Sequence, residues 1–147
     1  MINSFVLIGL MSYVCYTDFR EKIIDDAVHI GMITHALLVI LFIESHSFPD
    51  LSQASFGFVV GGSLMFLLYL TGGMGFGDVK LAAVMGLWLG VQVIDMIMLA
   101  FVVGLFFVVI LSVKNRHLTR IIPFGPSLAM AAIFIHLSGW SMITHYF

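Results

Sequence analysis

Apolar runs follow one another along this chain with almost nothing between them, and no other feature restricts its possible folds so strongly. A segment needs about 20 mainly apolar residues to cross a bilayer. Six stretches come close to that length, at about 2–17, 27–43, 54–71, 79–94, 96–113 and 121–143, and together they nearly exhaust the 147 residues. Composition agrees: 61% of the residues are hydrophobic and 10% charged, against about 45–50% and 25% in soluble domains. The sequence therefore predicts an all-α integral membrane protein, a bundle of about six transmembrane helices forming one membrane-embedded domain over residues 1–147. Its short connections leave no room for a soluble domain, so any chemistry has to sit in the bundle or at its edges. The first run, "MINSFVLIGL", lacks the basic stretch that opens a cleavable signal peptide and is expected to remain as a span.

The charged residues gather at the ends of these runs. All six Lys and Arg fall in the first, third and fifth connections: Arg20 and Lys22, then Lys80, then Lys114, Arg116 and Arg120. Cytoplasmic loops carry the excess of basic residues, so this alternation puts those connections inside and both termini outward. Asp18 closes the first span and Asp78 opens the fourth, which brings both carboxylates to the cytoplasmic face. Two carboxyls sharing a site do not readily ionise together, so one keeps its proton while the other can take one from water. An aspartyl protease uses that division of labour.

"GGMGFGDVKL", residues 72–81, sets four glycines and Asp78 ahead of the fourth apolar run. Gly72, Gly73, Gly75 and Gly77 permit backbone angles closed to other residues and a close approach by a second chain, as an extended peptide presented to the carboxylates requires. The plainer alternative is a glycine turn with Asp78 capping the next helix, and spacing alone leaves both open. Lys80 either acts on a neighbouring carboxylate or anchors its helix at the head groups. Pro123 and Pro126 flank "FG" and permit an irregular start to the last span. "GFVVG" at 57–61 and "GLWLG" at 86–90 have the GxxxG spacing of close helix packing. His29, His35 and His136 lack the spacing of a one-face metal pair and read as polar packing, so no metal site is expected. A single cysteine, Cys15, excludes an intramolecular disulfide and a Cys-cluster zinc site. The 14 Phe and 10 Met read as packing and lipid-facing surface.

"GMGFGDVKLAAVMGLWLG" resembles the GxGD segment of the type IV prepilin peptidases, which are bacterial membrane aspartyl proteases. Gly75, Gly77 and Asp78 match its core, and Lys80 and Leu81 its continuation. "YTDFREKIIDD" resembles the family's first aspartate motif and "IPFGPSLAMAAIF" the opening of its last span, so the similarity covers nearly the whole chain. The resemblance implies that Asp18 and Asp78 are the two catalytic aspartates, with Pro123, Gly125 and Pro126 shaping the active site. One departure is that Ile24, Asp25 and Asp26 stand where the family commonly has Ile-Pro followed by Asn or Asp. Asp18 is preferred to Asp25 and Asp26 because it ends the apolar run and matches the motif. By the same resemblance the chain corresponds to the short, peptidase-only form, without the amino-terminal methyltransferase-associated region.

The implied activity is that of an aspartic-type endopeptidase. It would remove the short basic leader of prepilins or pseudopilins, ahead of an apolar helix, at the cytoplasmic face of a prokaryote's inner membrane, in a type IV pilus or protein secretion system. No metal or organic cofactor and no nucleic-acid partner is implied, and membrane lipids are the surroundings. Glu21, Asp25 and Asp26 are expected to attract the basic leader. Two other classes compete with this reading. One is a small ion-coupled transporter, whose intramembrane carboxylates bind ions; the other is a non-catalytic scaffold of a pilus or secretion machine. Carboxylates confined to span edges argue against the transporter.

Overall fold

The computed structural model describes residues 2–21, 25–42, 48–72, 74–115 and 124–141. Six α-helices occupy them: α1 Ile2–Glu21, α2 Asp26–Phe42, α3 Leu51–Leu70, α4 Phe76–Leu89, α5 Val93–Asn115 and α6 Gly125–Ser138. A 3-10 turn, Gly90–Gln92, joins α4 to α5. The expected all-helical class is observed, with one helix for each apolar run. In a bilayer this is the economical solution, because a helix satisfies its backbone polar groups within its own segment.

Several boundaries differ from expectation. Leu51–Leu70 and the stretch Phe76–Ile110 are long and apolar enough to cross a membrane. α2 and α6 are apolar but have 17 and 14 residues, so helix length alone does not establish six separate spans. The break between the fourth and fifth runs falls earlier than expected, at Gly90, whose φ of 58° is a backbone conformation open mainly to glycine. The last helix is shorter than the expected run 121–143. Gly139 ends it in a left-handed conformation, its amide donating to the Ile135 carbonyl, a common glycine stop.

The closest helix contact is between α3 and α4, through the two GxxxG segments. A Cβ on Gly57 would run into the carbonyl oxygens of Gly86 and Gly90, and one on Gly86 into the backbone of Gly57. One on Gly61 would lie 2.7 Å from the Ala82 carbonyl oxygen. Close packing is thus what the spacing delivers. It matters in a membrane because lipid tails are as apolar as the helices, and contact has to come from shape.

Met and Phe, alike in the sequence reading, differ in placement at many positions, although Met98 is 56% exposed and Phe48 and Phe124 pack against the core. Met11, Met32, Met65, Met85 and Met96 are fully buried, whereas Phe5, Phe42, Phe56, Phe106 and Phe134 are more than half exposed. An unbranched thioether adapts to the irregular gaps between helices. An exterior covered in large apolar side chains suits lipid rather than water, and the chain is a membrane protein. α1 and α6 run antiparallel, with the Ser4 hydroxyl 3.4 Å from His136 Nε2 at one end and Asp18 against Gly125 at the other. His35 and His136 flank Trp88 at ring distances of 5.1 and 6.3 Å, and the indole Nε1 donates to the Met32 carbonyl at 3.2 Å. His136 is thus packed with a polar neighbour, whereas His35 stacks on the indole with its Nε2 buried and without a hydrogen-bond partner among the described residues.

Candidate active site

Asp18 stands in the last turn of α1 and Asp78 in the first turn of α4. They are 6% and 8% exposed, yet both line one cavity of about 690 Å³. The structure thereby brings together the two aspartates singled out from the sequence, with Gly75, Gly77 and Lys80 in the same wall. Glu21, Asp25 and Asp26 line it too, so five carboxylates face one ammonium group across this space.

Local geometry explains how Asp78 is aimed. Gly75 is the N-cap of α4, with φ −79° and ψ 149°, which makes Asp78 the third helical residue rather than the cap itself. Its own amide donates to the Gly75 carbonyl at 3.2 Å, and an acid at that position faces the positive end of the helix dipole. The structure thus gives the cap of α4 to Gly75, not to Asp78. The glycines use less conformational freedom than expected: Gly72 has a φ of 75°, but Gly75 is extended and Gly77 lies in the first helical turn. A Cβ on Gly75 would meet Asp78 Oδ2 at an ordinary 3.5 Å. Gly73 lies outside the described residues.

Asp18 is held differently. A Cβ on Gly125 would sit 2.6 Å from Asp18 Oδ2 and 3.0 Å from Cγ, so α6 approaches this carboxyl as closely as a bare backbone allows. Pro126 occupies the first turn of α6, where its missing N–H costs no helical hydrogen bond. Phe124, just ahead, packs 5.2 Å from Phe101 and over Gly104 of α5. The sequence reading missed Gly104, whose only signal was one glycine in an apolar run. Pro123 lies outside the described residues.

The nearby charges have other engagements. Lys80 Nζ donates to Asp26 Oδ1 at 2.6 Å and lies 5.4 Å over the Phe76 ring. The ammonium, by hydrogen bond and by charge, holds the exposed Asp26 carboxyl below the usual carboxylate range. Asp25 Oδ1 accepts the Ala27 amide at 3.1 Å. Asp18 Oδ2 is buried and has no hydrogen-bond partner among the described residues. Of the three acids in the first connection, Asp18 is the one with a buried oxygen still to be satisfied.

Comparison with known proteins agrees with these motifs. Residues 5–113 match the family model described as the type IV leader peptidase family. A prepilin leader peptidase/N-methyltransferase of Aeromonas hydrophila is 32% identical over 99% of this chain and 51% of its own length. A protein of the same name from Escherichia coli K12 is 28% identical over 85% of this chain and 60% of its own. One from Pseudomonas aeruginosa is 42% identical over 57% and 32%. The chain spans about half the length of the curated relatives it matches. No solved structure matches. A family match across 5–113 that takes in both aspartates and the GxGD segment leaves one assignment: the chain belongs to the type IV leader peptidase family.

Proposed function

We propose that this chain is a membrane aspartyl endopeptidase that removes the short basic leader from type IV prepilins or pseudopilins, with Asp18 and Asp78 as its catalytic pair. The observation that carries this reading is that two buried aspartates, on helices distant in sequence, line one cavity. A water between them would lose a proton to the ionised carboxylate and attack the scissile carbonyl carbon, while the protonated partner donates to the carbonyl oxygen. Collapse of the resulting diol breaks the C–N bond and returns a proton to the leaving amine. A peptide bond can reach the pair because α1 and α4 make little direct contact and leave space between them.

The same reading takes all six helices as spans of a prokaryotic inner membrane, with both termini outward. In its support, the end of α1 and the starts of α2, α4 and α6 meet around the cavity. A cytoplasmic leader followed by a membrane-embedded helix would present its junction at that depth. Glu21 and Asp25 would meet the leader's positive charges, Asp26 being engaged with Lys80. The test is cleavage of a co-expressed prepilin in membranes, followed as loss of the leader on a gel. Asp18→Asn and Asp78→Asn are expected to lower processing by at least about a hundredfold, and Asp25→Asn to retain it. Processing by Asp18→Asn at the native rate overturns the pairing, and processing by both aspartate variants overturns the protease reading.

A further inference from the structure

We infer that Asp26 and His29, on the first turn of α2, are positioning residues that hold the first turn of α4, and with it Asp78, in register with Asp18. This inference rests on the peptidase reading above. Since α1 and α4 make little direct contact, the separation of their aspartates has to be set through other elements. On the Asp18 side that element is α6, through Gly125. On the Asp78 side, the tight backbone packing of α3 engages Ala82, Gly86 and Gly90, beyond the first turn of α4, and within that turn α3 supplies the Tyr69 ring 5.5 Å from Phe76, a contact that leaves Lys80 unengaged.

The polar contact to the first turn comes from α2. Lys80 Nζ, two residues past Asp78, donates to Asp26 Oδ1 at 2.6 Å. One turn along α2, His29 is 4% exposed, and its Nε2 is buried without a hydrogen-bond partner among the described residues. Its Nδ1 donates to the Asp25 carbonyl at 3.2 Å and stands 3.9 Å from Asp26 Oδ1, which fixes the ring plane. Asp26 thus ties the start of α2 to the first turn of α4 through Lys80, and His29 backs Asp26 from one turn along the same helix. An ion pair with one partner 69% exposed adds little to folding. A change in rate on breaking it therefore reports the geometry of the pair rather than loss of the fold.

The experiment measures kcat and KM for prepilin cleavage by the full chain in membranes, for Asp26→Asn, Lys80→Met, the exchange Asp26→Lys with Lys80→Asp, His29→Leu and His29→Gln. Each of Asp26→Asn, Lys80→Met and His29→Leu is expected to lower kcat about tenfold or more, because small misplacements of reacting groups are costly, and to leave KM within about twofold. The exchange is expected to recover most of the loss, and His29→Gln to exceed His29→Leu. Native kcat in the single variants, an effect confined to KM, or an exchange no better than either single variant overturns the inference. If the exchanged chain fails to accumulate, the single variants decide. Absence of cleavage by the unaltered chain removes the peptidase reading and this inference together, whereas cleavage by it with unaffected variants removes this inference alone.

Discussion

A hydrogen atom in place of a methyl group at residue 125 is what lets α6 lie on the Asp18 carboxyl. Alanine there would put a carbon 2.6 Å from Oδ2 and 3.3 Å from Cβ of the aspartate, so either the side chain rotates away or α6 retreats. Gly125→Ala is expected to lower leader cleavage about a hundredfold while the protein still accumulates in membranes, as measured by processing per unit of immunodetected chain. Asp26 carries a pH prediction. Lys80 depresses its carboxyl, so the pair's contribution is complete above the unfolded carboxylate value of about 3.9 and is lost only as pH falls through the lower folded value. The pH dependence of kcat/KM above about pH 4 should therefore have the same shape in Asp26→Asn as in the unaltered chain. Asp18, Asp78 and Gly125 were legible because motif and span edge coincide in them. His29 was not: a lone histidine in an apolar run is usually packing, and the Asp26–Lys80 pair beside it exists only once α2 lies on α4.

At the scale of elements, the two GxxxG segments were readable as packing motifs, but not as partners of each other. They face because α3 and α4 are consecutive and cross where neither has a side chain between the backbones. Gly86→Leu is expected to destabilise the detergent-solubilised chain by about 3 kcal/mol or more, seen as a lowered midpoint of thermal unfolding. The same change on the opposite side of the bundle, Gly9→Leu, where a Cβ would meet nothing within 4 Å, should leave the midpoint nearly unchanged. Helix ends were less legible than helices. Gly90 and Gly139 stop α4 and α6 inside apolar runs, and hydropathy does not register a change of backbone conformation at a glycine.

For the whole molecule, the proposed orientation rests on the alternation of basic connections. With Cys15→Ser as background, a cysteine at Ser52, near the start of α3, should react with a membrane-impermeant maleimide added outside intact cells. One at Thr71, just past its end, should react only after permeabilisation; the reverse pattern overturns the topology. What the sequence determined by itself is the medium and the architecture's class: apolar runs this dense can satisfy their backbones in lipid only as helices. It also marked Asp18 and Asp78, because at each of them a motif coincides with the end of an apolar run. Only the tertiary structure decided which side chains meet. Gly125 on Asp18, Phe124 over Gly104 and Asp26 on Lys80 are contacts between segments far apart in the chain. They depend on how the helices lie against one another, a relation that hydropathy and spacing do not encode.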